Sequence, residues 1–367
     1  MSDTKPVTHG WSVLVLSRHE PLAASTRLRT HQFIPALEAA GARVEITPFF
    51  DETYLKALYG SGGRRRPSDV LRAYGRRARA LGRIHRASVL WIEKEVFPYL
   101  PGWAEAIIPA MGVPYVVDYD DATFHIYDQH RRALVRRVLS QKFDPLLRGA
   151  HTVTVGNAYL GDYVSKHGAV NVVRIPTVLD IDRYFVRPEP QNAEFRIGWI
   201  GSPGNTPFLA PLFPVLRSVH ARRPIRLVTI GAAPLGDIGV PVEQHEWNEA
   251  TEASLLTGFH AGIMPLPDGP FERGKCGYKL IQYMASGRPV IASPVGVNSD
   301  MVTPDIGFLA SNEVEWSGAI EALAADPRLR AAMGAAGRER AEREYSLQAV
   351  SPAIVRVLET AARARRT

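Results

Sequence analysis

Cysteine is almost absent from this sequence of 367 residues. Cys276 is the single one, which excludes an intrachain disulfide and a zinc site built from several cysteines. No apolar run reaches the roughly 18 residues that a membrane-spanning helix needs, and the first ten residues lack the basic-then-apolar order of a secretory signal. We therefore expect a cytoplasmic protein, either free or peripheral to the inner face of the membrane.

The fingerprint of nicotinamide-binding proteins is also missing. That fingerprint is a turn with the spacing Gly-x-Gly-x-x-Gly directly after a β-strand. The segments that follow the β-rich runs at 11–16 and 196–200 read SRHEPLAA (17–24) and GSPGNT (201–206), and neither has this spacing. The formal net charge is +7, but no helix-turn-helix, zinc finger or basic aromatic sheet accompanies it. We expect no nucleic-acid partner and no cofactor.

Short β-rich runs alternate with helical patterns along the whole chain, which predicts an α/β fold with parallel sheets. The pattern restarts after a proline-rich stretch at 187–194. We predict one Rossmann-like domain over 1–187, a second over 188–345 and a terminal helix over 346–367. A loop is expected at 61–69. The predicted strands cover 11–16, 43–47, 89–93, 115–119, 152–156, 196–200, 225–230, 261–265 and 289–292.

The segment 267–296 combines a glycine-rich loop, a helical pattern and a buried strand. A helix N-terminus presents N–H groups without intrahelical partners and a partial positive charge. Gly274 and Gly277 would let the backbone approach a ligand, and Lys275 and Lys279 add charge, so a diphosphate would be stabilised there. The alternative is that these glycines only form a tight turn.

The helical pattern in this segment has two faces. Leu280, Ile281 and Met284 share one, which we expect to pack against the core. Lys279, Gln282 and Ser286 share the other, which we expect to be available for binding.

Several short segments of the sequence, taken in order, resemble motifs of family 4 (group 1) retaining glycosyltransferases of the GT-B fold. LIQYMASG and RPVIASPVG resemble the helix and strand of the donor site, and FRIGWIGSPG (195–204) resembles the opening strand of the donor domain. RIPTVLDIDRYF (174–185) resembles the interdomain stretch, and IGFLA (306–310) and MGAAGRERAEREYS (333–346) resemble the C-terminal portion.

The resemblance implies two Rossmann-like domains whose parallel sheets face across a cleft, with the donor bound by the C-terminal domain. It also implies that the last helix crosses back to the N-terminal domain. The implied activity is that of a hexosyltransferase, which moves a sugar from a nucleotide-sugar to a glycan, lipid-linked or small-molecule acceptor. The resemblance implies that the configuration at the anomeric carbon is retained. Such an enzyme would serve polysaccharide or glycolipid biosynthesis without a bound metal.

The sequence departs from this family at its paired glutamates, where Gly274 and Gln282 stand instead. Gln282 could still hydrogen-bond ribose hydroxyls, and Glu272 or Asp268 could supply a carboxylate. The basic pair that usually follows the first donor strand is replaced by uncharged side chains, so Lys275 and Lys279 are the expected diphosphate ligands. The uncharged residues there are Ser202, Asn205 and Thr206.

We accordingly assign Lys279, Lys275 and Glu272 as catalytic candidates. Trp247 could stack on the nucleobase, although a packing role is as reasonable. The full set of donor-binding candidates is Gly201, Ser202, Trp247, Gly274, Cys276, Gly277, Tyr278 and Gln282.

On the acceptor side, Arg27 and Arg29 follow the first strand and either bind phosphate or acceptor or are solvated. Asp120 and Asp121 follow a hydrophobic strand, where α/β sites form. With Asp118 they could hold Mg²⁺, but the resemblance favours no metal, and an acceptor contact or a helix N-cap is preferred. His19, His125 and His245 receive no role.

Arginines recur at helical spacing over 69–87, and 130–142 repeats the theme. This charge would attract an anionic membrane or a lipid-linked phosphate acceptor, or it belongs to a solvated helix face. The rival to a transferase is a catalytically inactive nucleotide- or sugar-binding protein on the same fold. A nucleotide-sugar epimerase is a further alternative.

Overall fold

The computed structural model describes residues 10–51, 67–191 and 194–365, so most of the loop predicted at 61–69 lies outside it. The chain forms two compact units. One contains the described residues up to Thr177 together with those from Val350 onward, and the other is Val178–Ala349.

The first unit is built on a parallel sheet of six strands. The strands are β1 Trp11–Leu16, β2 Ala42–Ile46, β3 Val89–Glu93, β4 Tyr115–Tyr119, β5 Thr152–Val155 and β6 Val172–Arg174. Their order in the sheet is β2-β1-β3-β4-β5-β6. The central strands β3 and β4 are buried along their whole length, because their apolar runs are covered on both faces, as in a parallel α/β sheet.

Helices connect these strands, and Asn157 caps one of them by accepting a hydrogen bond from the Leu160 N–H at 2.9 Å. The helices are α1 Ala24–Arg29, α2 Ile34–Ala39, α3 Pro67–Leu81, α4 Gly102–Glu105, α5 Ile107–Ala110, α6 His125–Asp128, α7 Ala133–Leu139, α8 Asp144–Gly149 and α9 Ala158–Lys166, with 3-10 turns at His31–Phe33 and Ile84–Arg86.

The second unit repeats the architecture with a second parallel sheet. The strands are β7 Phe195–Ile200, β8 Ile225–Ile230, β9 Val242–His245, β10 Ala261–Met264, β11 Val290–Ala292 and β12 Gly307–Leu309. Their order in the sheet is β12-β11-β10-β7-β8-β9. Two 3-10 segments are Ile181–Arg183 and Pro203–Leu212. The helices are α10 Phe213–His220, α11 Glu252–Leu256, α12 Pro270–Arg273, α13 Tyr278–Ala285, α14 Asn298–Met301, α15 Glu313–Ala325, α16 Pro327–Glu344 and α17 Leu347–Arg363.

Helix α13 is fixed to this sheet through Tyr283. The Tyr283 ring occupies the space where a side chain on Gly262 of β10 would be. Its hydroxyl donates to the Ile263 carbonyl at 3.2 Å and accepts from the Ile200 N–H at 3.0 Å. This contact sets the position of α13 relative to the end of β7.

The two predicted faces of α13 differ less than expected. Leu280, Ile281 and Met284 are fully buried, as predicted. Gln282 and Ser286 are buried as well, which corrects the expectation of a second face available for binding. Of that face, Lys279 alone is partly accessible.

The sheets and helices confirm the predicted α/β class. Residues from Val350 onward in the last helix, α17, belong to the first unit, and Arg365 beyond it donates to the His85 carbonyl at 2.7 Å. Among the described helices, none has the length and apolar character to cross a bilayer.

Candidate functional site

Two glycines bring the ends of β7 and β8 together in the second unit. The Gly201 N–H donates to the Ile230 carbonyl at 3.0 Å. Gly231 has a left-handed backbone with φ of 75°, and a Cβ there would lie 2.5 Å from the Gly201 carbonyl oxygen and 3.0 Å from the Trp247 Cβ. Only glycine fits this approach without strain, so Trp247 lies beside the Gly201 turn.

Lys279 lies on the other side of the same turn. Its Nζ is 4.1 Å from the centre of the Trp199 ring, and a Cβ on Gly201 would come within 2.7 Å of that nitrogen and 2.6 Å of the Trp199 ring. Burial, and secondarily the charge of Lys275, lowers the pKa of Lys279 to about 7. No described carboxylate lies within ion-pair distance of Lys279.

Lys275 approaches the same place from the preceding loop. Its Nζ lies 5.4 Å from the Phe271 ring centre and 5.9 Å from that of Phe208. Phe208 belongs to the helical turn that begins at Pro203, directly after Ser202. Two ammonium groups therefore converge near the Gly201 turn, held over aromatic faces in a favourable cation–π arrangement.

The uncharged residues after Gly201 are organised by their own hydrogen bonds. Ser202 is exposed, and its hydroxyl accepts from the Asn205 amide at 3.0 Å. The Thr206 hydroxyl accepts from the Ala233 N–H at 2.8 Å. These contacts shape the turn. Because none of these side chains is charged, the positive charge near the turn comes from Lys275 and Lys279.

The loop before α13 is shaped by Gly277. Its φ is 68°, and the Met301 sulfur occupies the space that a Cβ would need. Gly274 is buried where α12 ends, and the Cys276 sulfur contacts its carbonyl oxygen at 3.7 Å.

The two acidic candidates of this loop differ in environment. Asp268 forms a two-point ion pair with Arg273 at 2.6 and 2.9 Å, and this hydrogen bonding lowers the pKa of Asp268. Glu272 forms no such pair among the described residues, and its carboxylate lies against Gly269. Glu272 is therefore the better candidate to act on a ligand.

Gln282 belongs to a buried hydrogen-bonded chain. Its amide donates to the Tyr184 hydroxyl at 3.2 Å, and that hydroxyl donates to Glu252 at 2.9 Å. Glu252 also accepts from the Trp247 indole N–H at 2.7 Å. Gln282 is 2% exposed, and this chain of hydrogen bonds ties Trp247 to helix α13.

Tyr184 and Glu252 were not among the candidates predicted from the sequence. Tyr184 also hydrogen-bonds the half-buried Tyr278, and burial raises the pKa of Tyr184 well above its ordinary value. The signal for Tyr184 was available, because it is one of the two aromatic residues that end the RIPTVLDIDRYF stretch. Glu252 carried no such signal.

In the first unit, Arg29 and Asp118 form a buried two-point ion pair at 2.6 and 2.9 Å. The Arg29 guanidinium also donates to the Ile175 carbonyl at 2.8 Å. These bonds hold both side chains inside the unit. Arg27 is half-buried and donates to the Pro21 carbonyl at 3.1 Å.

A group of charged side chains that was not predicted from the sequence lies at the end of β3. Lys94, with a left-handed φ of 64°, pairs with Asp120 at 2.8 Å and Asp121 at 3.2 Å. Burial opposes its charge, but these carboxylates raise the pKa of Lys94. Burial raises the pKa of the adjacent Glu93, which accepts from Thr26 at 2.8 Å.

His19, His125 and His245, which received no role from the sequence, lie in different environments. Burial, with Arg18 nearby, lowers the pKa of His19 to about 3, so it is neutral. His125 contacts Asp128 at 2.7 Å and Tyr159 at 2.8 Å, and His245 contacts Glu243 at 2.8 Å. Over residues 10–51, 67–191 and 194–365, no cluster of His, Cys, Asp or Glu could hold a metal ion.

Residues 216–356 match the family model described as glycosyl transferase-like. This match spans most of the second unit and includes Trp247, Glu252, Lys275, Lys279 and Gln282, whereas Tyr184 and Gly201 lie outside it. No curated protein gives a significant match to the sequence.

Solved structures match nearly the whole chain. Sucrose-phosphate synthase from Thermosynechococcus elongatus has a TM-score of 0.71 and 16% identity, over 96% of this chain and 100% of that one. HepE from Anabaena, solved with UDP, has a TM-score of 0.70 and 14% identity, over 95% and 100%. A glycosyltransferase from Rickettsia africae has a TM-score of 0.67 and 12% identity, over 96% and 98%. The chain has the GT-B fold of these proteins.

Proposed function

We propose that this protein is a glycosyltransferase of the family 4 type that transfers a hexose from a nucleotide-sugar donor, with retention. The observation that carries the proposal is the convergence of Lys279 and Lys275 on the Gly201 turn. The match to a glycosyl transferase-like family model supports it. Structures of HepE with UDP and with UDP-glucose support a nucleotide-sugar as the donor class.

The lysines would stabilise the leaving nucleoside diphosphate. As the bond between the anomeric carbon and the phosphate oxygen breaks, negative charge grows on the diphosphate, and preorganised cations lower the energy of that state. The first turn of α13 adds N–H groups that favour an anion. Glu272 is the candidate to contact the sugar from the same loop.

Retention would follow from attack on the face that the diphosphate leaves. The acceptor oxygen bonds to the anomeric carbon, and its proton passes to the leaving phosphate oxygen. No protein nucleophile is required in this scheme, so the chain's contribution is binding, orientation and charge.

Trp247 would bind the nucleobase. Its indole is 39% exposed, lies beside the Gly201 turn and is held by Glu252. A base stacked on it would place its diphosphate toward the lysines. Gln282 would support this arrangement through Tyr184 instead of contacting the ribose directly.

The acceptor, a glycan, a lipid-linked molecule or a small molecule, would bind to the first unit. Asp120 and Asp121 at the end of β4, held by Lys94, are the proposed contacts for an acceptor hydroxyl, and Arg27 on α1 is a further candidate. Arg29 would stabilise the fold through Asp118.

The test is to incubate the protein with a panel of nucleotide-sugars, with and without sugar or polyprenyl-phosphate acceptors. The quantity measured is the rate at which nucleoside diphosphate is released. A transferase releases diphosphate faster when its acceptor is present, and NMR of the product gives the anomeric configuration. Tight donor binding without release would favour the inactive binding protein. An altered sugar without an acceptor would indicate an epimerase.

A further inference from the structure

Helix α7, Ala133–Leu139, turns apolar side chains outward. Leu134 is 72% exposed and Val138 is 49% exposed, while Leu139 is buried. Residues four apart lie on the same face of a helix, so Leu134 and Val138 form one exposed apolar strip. Ile126 on α6, which packs against α7, is also exposed.

Four arginines accompany this strip. All of them are exposed, and no described carboxylate pairs with any of them. The Arg136 guanidinium donates to the His130 carbonyl at 2.6 Å, which leaves its charge uncompensated. The arginines are Arg131, Arg132, Arg136 and Arg137.

The arginine stripe noted over 69–87, most of which lies on α3, differs from the arginines beside α7 because several of its members form ion pairs. Arg72 pairs with Asp69 at 3.5 Å, Arg76 with Asp51 at 2.8 Å and Arg83 with Glu45 at 3.1 Å. Three of the five arginines of the stripe therefore have a carboxylate partner, while Arg79 and Arg86 have none among the described residues. The apolar side chains Ala73, Ala80 and Leu81 of α3 are buried, although Leu71 is 71% exposed.

We propose that α7 is a docking surface for an anionic membrane. Leu134 and Val138 would enter the boundary between headgroups and acyl chains, while the arginines beside them bind lipid phosphates. This replaces α3 with α7 as the membrane-facing element, and it does not depend on the proposed transferase activity.

The charge pattern favours a lipid surface over a second copy of the chain. A symmetric contact through α7 would bring eight unpaired arginines face to face without a compensating carboxylate. Two apolar side chains also bury far less than the roughly 800 Å² per partner of a stable interface. A bilayer instead offers many phosphates and an apolar layer beneath them.

The proposal is tested by co-sedimentation of the full chain with vesicles of phosphatidylcholine alone and of an equal mixture of phosphatidylcholine and phosphatidylglycerol. Two double variants remove either the charge, Arg136→Gln with Arg137→Gln, or the apolar strip, Leu134→Ser with Val138→Ser. The matched controls are Arg72→Gln with Arg79→Gln on α3, and Val314→Ser at an exposed position on α15. All these side chains are exposed, and thermal melting checks that each variant folds.

We expect binding to the anionic vesicles that falls at least about tenfold in either α7 variant, little change in the controls, and weak binding to phosphatidylcholine alone. Absence of binding to anionic vesicles would overturn the proposal. It would also be overturned if the α3 variant lost binding while both α7 variants kept it, or if light scattering without vesicles showed a dimer that the α7 variants dissociate.

Discussion

The ammonium of Lys279 lies 4.1 Å from the centre of the Trp199 ring. Trp199 is fully buried on β7, so its ring gives the lysine a fixed position beside Gly201 without neutralising its charge. A lysine held this way keeps its pairing capacity for an incoming anion. A diphosphate between the Gly201 turn and the first turn of α13 would supply the missing negative charge.

Replacing Lys279 by methionine should weaken binding of nucleoside diphosphate about 10- to 100-fold, because a hydrogen bond to a charged group is lost. Isothermal titration calorimetry with UDP measures the change. Lys166→Met, at an exposed position on α9, is the control and should bind like the unmodified chain. Equal affinity in both variants would remove Lys279 from the site.

Diphosphate affinity should fall as the pH rises above 7. The pKa of Lys279 is about 7 in the free protein, so above this pH the lysine must take up a proton when the anion binds. The last phosphate ionisation occurs near about pH 6, so the ligand's charge stays constant over this range. Titrations from pH 7 to 9 test the slope.

In Lys279→Arg the guanidinium stays protonated throughout that range. Its affinity should therefore change little with pH, whatever its absolute value. A slope equal to that of the unmodified chain would assign the pH dependence to another group.

Gly201→Ala should destabilise the second unit by about 1–3 kcal/mol and weaken diphosphate binding, because the added methyl overlaps the Trp199 ring and the lysine. Gly204→Ala is the matched control, since nothing lies within 4 Å of a Cβ there. Denaturant unfolding and UDP titration of the pair separate crowding at the site from a general effect of alanine in the turn. Identical behaviour of the two variants would contradict the geometry.

Trp247→Ala should cost about 1–3 kcal/mol of binding energy for a nucleotide, the usual value of a stacked base. Trp247→Phe keeps a ring but loses the hydrogen bond to Glu252, so it should bind more tightly than the alanine variant. Inorganic diphosphate binding should be the same in both. A loss of diphosphate binding in Trp247→Ala would show a structural role instead of stacking.

Arg29→Met should destabilise the first unit by about 3–5 kcal/mol, because it leaves Asp118 buried without its partner. The double variant Arg29→Met with Asp118→Leu removes both charges and should recover part of this loss. Thermal or denaturant unfolding measures both. Wild-type stability with altered acceptor use in Arg29→Met would instead return Arg29 to the acceptor site.

Local patterns were sufficient to predict most of the architecture. The alternation of apolar runs and helical periods predicted β1 to β5 in the first sheet and β7, β8, β10 and β11 in the second. The segment LIQYMASG predicted helix α13. The edge strands β6, β9 and β12 were not among the predicted ranges. They have only three or four residues each, too few for a periodic signal.

The site was harder to predict because its decisive contacts join distant residues. Gln282 and Tyr184 are 98 positions apart, and the pair Arg29–Asp118 spans 89. Nothing in the local sequence of Gln282 indicates that its amide is buried, and the resemblance to a ribose-binding glutamate pointed toward a ligand. The roles of the individual site residues stay predictions.

The proposed donor site requires Lys275 and Lys279 together to bind a diphosphate at the Gly201 turn. Calorimetric affinities for UDP and uridine, in the unmodified chain and in Lys275→Met with Lys279→Met, test it most directly. We predict that UDP binds much more tightly than uridine in the unmodified chain and that the double variant loses this difference while keeping its affinity for uridine. A preference for UDP that survives the loss of both lysines would show that they do not bind the diphosphate.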